Sequence, residues 1–220
     1  MFPLALTITA GALALAVAVT RPPVPPSRVA LRWTGPVEDL RTMVRPVLSH
    51  GYAEGAPPGF SGGFTEQSCD ACHFHAAPNS GSGRLAIDGV PDHFAAGESY
   101  KVTISLTQPG MKFAGFQLTS RFKDDGAQAG TLAQESPADS RIAIDTQAAV
   151  HYAGQRREGA ALVEPDVNRW TVMWTAPSST RTVLFHVAAN GANGDERADG
   201  DYVYTIARET QPSGRDLRAR

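Results

Sequence analysis

Cysteine is almost missing from this chain: of 220 residues only Cys69 and Cys72 carry thiols. That excludes a disulfide-built scaffold and confines all thiol chemistry to one stretch, Cys69-Asp70-Ala71-Cys72-His73. Charge of one sign is also lacking. Lys and Arg number 20 against 22 Asp and Glu, a net charge of -2. No cationic surface is available to track a phosphate backbone, so nucleic acid is not an expected partner. No P-loop, dinucleotide fingerprint or internal repeat occurs, which removes nucleotide-dependent chemistry and solenoid architectures. Long apolar runs are absent except at the start.

That start, residues 1–20, is uninterruptedly apolar, rich in Ala and Leu, and uncharged. Ala14-Leu15-Ala16 and Ala16-Val17-Ala18 both fit the small-residue pattern of a signal-peptidase site. A cleaved export signal is the economical expectation. The run has the length of a marginal membrane span, so an uncleaved N-terminal anchor is the alternative, although Arg21, Arg28 and Arg32, which follow the run instead of preceding it, count against an anchor with an exported domain under the positive-inside rule. Either places the body of the protein outside the cytoplasm, in the periplasm or at the cell surface, with a membrane tether in the second case. Residues 21–50 form the next unit. Its first part, RPPVPPS, suits an extended polyproline spacer. Val37, Leu40, Met43, Val44, Val47 and Leu48 then recur at near-helical spacing, and Pro46 limits that helix to about three turns.

Residues 51–63, GYAEGAPPGFSGG, are a loop by composition, and their glycines allow the backbone to approach a flat, bulky group. Beyond Arg84 the chain changes character. Val102, Ile104 and Leu106 alternate with polar neighbours, as do Phe116 and Leu118, Trp170, Val172 and Trp174, Val183, Phe185 and Val187, and Tyr202, Tyr204 and Ile206. Period-two alternation in short runs broken by Gly, Pro, Asn and Asp predicts an all-β protein. Seven or eight antiparallel strands in an immunoglobulin-like β-sandwich are expected. The Asn190–Gly194 stretch reads as a hairpin turn between two of them.

The five-residue motif matches the pattern that attaches c-type haem. Cys69 and Cys72 would form thioethers to the porphyrin, and His73 would be carried under the iron as its proximal ligand. Two other readings stay open. Export permits a Cys69–Cys72 disulfide, and thiolates with imidazoles from His73 and His75 suit zinc, although four ligands within seven residues make poor tetrahedral geometry. A sixth iron ligand would come from elsewhere. His151 ranks first, because it lies in a short apolar stretch where a buried imidazole needs a partner. Met111 ranks second, after the Pro109-Gly110 turn. His186 falls on the face opposite Val183, Phe185 and Val187, Met173 faces outward or packs, and His50 and His93 read as surface residues.

Several stretches resemble the bacterial exported Reeler-like domains, also described as choice-of-anchor V domains. They are Gly55-Ala56-Pro57, Gly62-Gly63-Phe64, the Cys69–His73 motif, Gly115-Phe116-Gln117-Leu118, Trp170-Thr171, Trp174-Thr175-Ala176-Pro177, Asn190–Gly194 and Gly200–Thr205. The resemblance covers residues 51–210, leaving 211–220 as a polar, basic tail. It implies a Reelin-like β-sandwich outside the cytoplasm bearing the C-x-x-C-H motif. It also implies a histidine at the position of His151, which strengthens His151 and weakens Met111 as distal ligand. The combined expectation is an exported mono-haem c-type cytochrome domain, an electron carrier more than an enzyme. It would exchange single electrons with a redox partner protein through haem c iron held by Cys69, Cys72, His73 and His151. The alternative is a non-catalytic cell-surface binding or adhesion module with a Cys69–Cys72 disulfide or metal site.

Overall fold

The computed structural model describes residues 52, 54–197 and 199–214. The expected signal or anchor, the proline-rich spacer, the 35–49 helix, His50 and the end of the polar tail lie outside them. Among the described residues no helix is long and apolar enough to cross a membrane.

The described residues form ten strands: β1 (Arg84–Asp88), β2 (His93–Phe94), β3 (Ser99–Thr107), β4 (Phe113–Phe122), β5 (Thr131–Gln134), β6 (Ile142–Gln147), β7 (Val150–Gln155), β8 (Val167–Thr175), β9 (Val183–Ala192) and β10 (Tyr202–Pro212). One short helix, α1 (Arg157–Ala160), leads from β7 toward β8. The strands make two sheets, ordered β1-β3-β8-β5 and β2-β10-β9-β4-β7-β6. All pairings are antiparallel except the two-residue match of β10 to β2. An all-β sandwich is therefore what the alternation predicted, with more strands than expected. The extra ones are short or lack clean alternation, as in Thr131–Gln134. β10 also runs two residues into the segment expected to be tail, because Gln211 and Pro212 pair with His93 and Phe94.

The core lies between the sheets. Val102, Ile104 and Leu106 of β3 and Trp170, Val172 and Trp174 of β8 face Phe116, Leu118, Phe185 and Val187 of β4 and β9, all essentially solvent-free. Trp170 stacks on Phe116 with ring centroids 4.6 Å apart, and Trp174 meets Phe185 edge-on at 4.9 Å. Each indole N–H, costly to bury unpaired, finds a carbonyl: Trp170 donates to Gly159 at 2.8 Å and Trp174 to Ala129 at 2.9 Å.

Directly opposed residues share a sheet face. With Leu118 and Val187 inside, Thr119 and His186, Gln117 and Ala188, and Gly115 and Asn190 form pairs on the outer face of the six-stranded sheet. Polar residues are frequent there, yet Gln117, Thr119 and Asn190 are buried. What buries them is the chain before β1.

Candidate functional site

Residues 54–83 lie across this outer face and carry the motif. Their first fastening is Gln117, which accepts from the Phe60 N–H at 2.6 Å and donates to the Pro57 carbonyl at 2.9 Å. The second is Glu66. Its carboxylate accepts from Arg121 Nη1, the Tyr152 hydroxyl and the Ser61 hydroxyl, each at 2.6 Å. Arg121 also lies over the Phe64 ring, 4.9 Å from its centroid. Burial and the hydrogen bond to Glu66 push the Tyr152 hydroxyl up to about 12. Past the motif, Asn79 closes the loop on the edge of β10: its N–H donates to Val203 at 2.8 Å and its side-chain carbonyl accepts from Thr205 at 3.0 Å.

Between these fastenings Cys69–Ala71 form a single 3-10 turn. The Ser68 hydroxyl donates to the Asp70 carboxylate at its start. The Cys69 carbonyl accepts from both the Cys72 N–H at 3.2 Å and the His73 N–H at 2.9 Å, which turns His73 back onto the sheet. There Nδ1 of His73 lies 2.6 Å from Asp201 Oδ2 and 3.2 Å from the Asn190 amide. A carboxylate can only accept, so the pair is satisfied with the proton on Nδ1. Asp201 is 2% exposed and takes the Asn193 N–H on its other oxygen at 3.0 Å. Nε2 of His73 meets no hydrogen-bond partner among the described residues.

Both thiols are unbonded, Cys69 half-buried and Cys72 exposed. Burial pushes the Cys69 thiol up to about 12, which makes this thiol a poor nucleophile at neutral pH. Among the described residues no group of three or more His, Cys, Asp or Glu side chains could hold a metal ion. The zinc arrangement is thus not assembled, and His75 packs edge-on against Tyr202 at 5.4 Å. Two aromatic side chains stand open near the motif: Phe74, beside His73, is 69% exposed. Phe113, which pairs with Ala192 close to the Asn193–Asp201 bond, is 52% exposed. A shallow polar cleft of about 410 Å³ runs along the other flank, lined by Glu66, Ser68, Asp70 and Thr205 among others.

The expected distal ligands do not join this site. His151 is two residues from Ala153, which is fully buried in the core opposite Leu118, so His151 points to the inner face while His73 rests on the outer one. It is also displaced from Asn190 by roughly 16 Å along the strands. The expectation that a buried imidazole there needs a partner does apply, since His151 Nδ1 is buried without one. Met111 is 2% exposed and packs in the core under Gly191, again on the inner side. His93 is exposed on β2, and Met173 is half-buried on β8 opposite Lys101. His186 is on the outer face as expected, but it is covered: Phe64 meets it edge-on at 5.3 Å, and the Gly63 backbone lies against its ring. The flat group that the glycine-rich approach accommodates is therefore the His186 imidazole. For Ser61, the letters of Gly59-Phe60-Ser61-Gly62-Gly63 fit a nucleophile elbow. Ser61 is fully buried and donates to Glu66, so it is a structural residue. Asp201, Asn190 and the Glu66–Arg121 pair went unpredicted. The Asn190–Gly194 and Gly200–Thr205 stretches of the family resemblance contain Asn190 and Asp201, but without assigning either a role at the motif.

A comparison with models of protein families finds no match, and a comparison with curated protein sequences finds none. Among solved structures, the chain is similar to two fragments of the human F-spondin reeler domain. One is 19% identical, covering 63% of this chain and 95% of that domain at a TM-score of 0.43, and the other 21% identical, covering 61% and 96% at 0.41. A cohesin module of a Clostridium perfringens family 33 glycoside hydrolase is 11% identical and covers 60% of this chain and 96% of the module at 0.40.

Proposed function

We propose that this chain is an exported electron-carrying domain that holds one haem c at the Cys69–His73 turn. The observation that supports it is the state of His73: Nδ1 is held by the buried Asp201 carboxylate, Nε2, the nitrogen a metal would take, has no hydrogen-bond partner among the described residues, and the two thiols of the same turn are unbonded. A metal-bound imidazole characteristically donates its other N–H to a carboxylate or carbonyl, which is the relation of His73 to Asp201. In this reading Cys69 and Cys72 would tether the haem and His73 would ligate its iron. Phe74 and Phe113 supply exposed apolar surface on the flank away from the polar cleft. When bound, the haem would supply an iron that takes up and releases one electron, exchanged with a redox partner protein. No described residue is assigned as a second iron ligand, since His151 and Met111 lie on the other face of the sheet.

The test is a pyridine haemochrome assay on full-length protein matured in a host that attaches c-type haem. The expected result is one covalently bound haem per chain, lost in the Cys69→Ala, Cys72→Ala double variant. Protein without covalent haem overturns the proposal. It would favour the second reading, a non-catalytic cell-surface binding module. That reading is supported by the absence of any three-ligand group among the described residues and by the exposed Phe74 on a rigid sandwich face. Thiol titration then separates its forms: two free thiols exclude a Cys69–Cys72 disulfide.

A further inference from the structure

We infer that Asp201 is the positioning residue of this site, fixing the tautomer of His73 and strengthening it as a ligand. The inference rests on the haem reading for what Nε2 binds, but the tautomer claim stands on the protein alone. Asp201 is placed for the task by the hairpin joining β9 to β10. It lies one residue before Tyr202, is closed off from solvent, and has its two oxygens committed to different partners: Oδ1 to the Asn193 N–H and Oδ2 to His73 Nδ1. The Asn193 bond stops the carboxylate from rotating away. His73 is fixed from its own side by the Cys69 carbonyl through its backbone N–H. Two independent fastenings, one in the motif turn and one in a hairpin 128 positions along the chain, therefore meet across a single 2.6 Å hydrogen bond.

The consequence for the imidazole is specific. In the neutral ring, with its proton held on Nδ1, the lone pair is on Nε2. An anionic acceptor on Nδ1 also raises the basicity of Nε2, which favours the oxidised state of a metal bound there and lowers its potential. Asn190 lies within 3.2 Å of the same nitrogen but is neutral, so the charge effect comes from Asp201. Among the described residues no other carboxylate contacts the ring.

Asp201→Asn is the discriminating variant. If its carbonyl keeps the Asn193 N–H, its amide NH2 faces Nδ1, which must then accept, and the proton moves to Nε2. Nitrogen-15 NMR of haem-free full-length protein reads this directly. The expected result is Nδ1-protonated His73 in the wild type, the Nε2-protonated form in Asp201→Asn, and recovery in Asp201→Glu. The same tautomer in wild type and Asp201→Asn, with matching far-ultraviolet circular dichroism, overturns the inference. In haem-loaded protein, Asp201→Asn should shift the reduction equilibrium toward the reduced form by about tenfold, about 59 mV for one electron. An unchanged potential with haem attached overturns the ligand-strengthening part. Should the wild type take up no haem, the haem proposal fails while the NMR result still decides the role of Asp201.

Discussion

Gly63 and His186 meet face to backbone on the outer side of the six-stranded sheet: a Cβ at position 63 would overlap the imidazole ring. Phe64 meets the same ring edge-on, and a Cβ at Gly62 next door would come within 3.3 Å of the Thr205 and Ser68 side chains. The glycine pair thus lets the loop lie flat on the sheet immediately before the motif. How the motif is held depends on a contact remote from its cysteines.

Gly63→Ala should destabilise the protein by about 1–3 kcal/mol, the range for forcing an added carbon into a packed site. Urea denaturation with an unchanged slope would measure it. In Gly63→Ala, His186→Ala the loss should be partly recovered, because the overlap is removed. Simple additivity would show that the two residues are not coupled.

Burial holds His186 below the ordinary histidine range, with the nearby Arg121 acting in the same direction and Glu66 against it. The folded protein thus resists protonating this ring more than the unfolded chain does. Its contribution to stability is fully present above about pH 6.5 and is lost as pH falls through the depressed folded value. The urea midpoint of the wild type should fall on acidification below pH 6.5, and that slice should vanish in His186→Asn. An identical pH profile in the variant counts against it.

Tyr152 gives the opposite window. Its hydroxyl is raised from about 10 to about 12, so its contribution is complete below pH 10 and is lost as pH rises toward 12. Tyr152→Phe should remove this alkaline loss. At neutral pH it should destabilise by about 1.5–3 kcal/mol, as expected for a hydrogen bond to a charged group. Spectrophotometric titration of phenolate absorbance should show one late-titrating tyrosine fewer in the variant.

If haem attaches at Cys69 and Cys72, His151→Ala should leave the Soret and α-band positions unchanged, since His151 faces the core on the other side of the sheet. A switch to a high-spin spectrum in this variant would show that His151 reaches the iron and that the described arrangement changes on haem binding.

Local chemistry explains what the sequence by itself determined. Alternation along Tyr100–Thr107, Arg169–Thr175 and Thr182–Ala188 specified strands and their inward faces, because side chains on a strand must alternate whatever the strand packs against. The spacing of Cys69, Cys72 and His73 likewise marked a candidate site, since the three residues follow one another on a single turn of backbone. Only the tertiary structure decided which residues surround the site. Asp201 and Asn190 reach His73 because β9 and β10 form a hairpin whose mouth the motif loop overlies, a relation spanning more than a hundred positions with no local signal. His151 was misjudged for the same reason. Its apolar neighbours showed that it is buried, but a strand has two faces, and only the register of β7 against β4 placed it inside while His73 lies outside. The five-residue motif was legible in its letters, while its neighbours were settled by which face of one sheet the preceding loop came to cover.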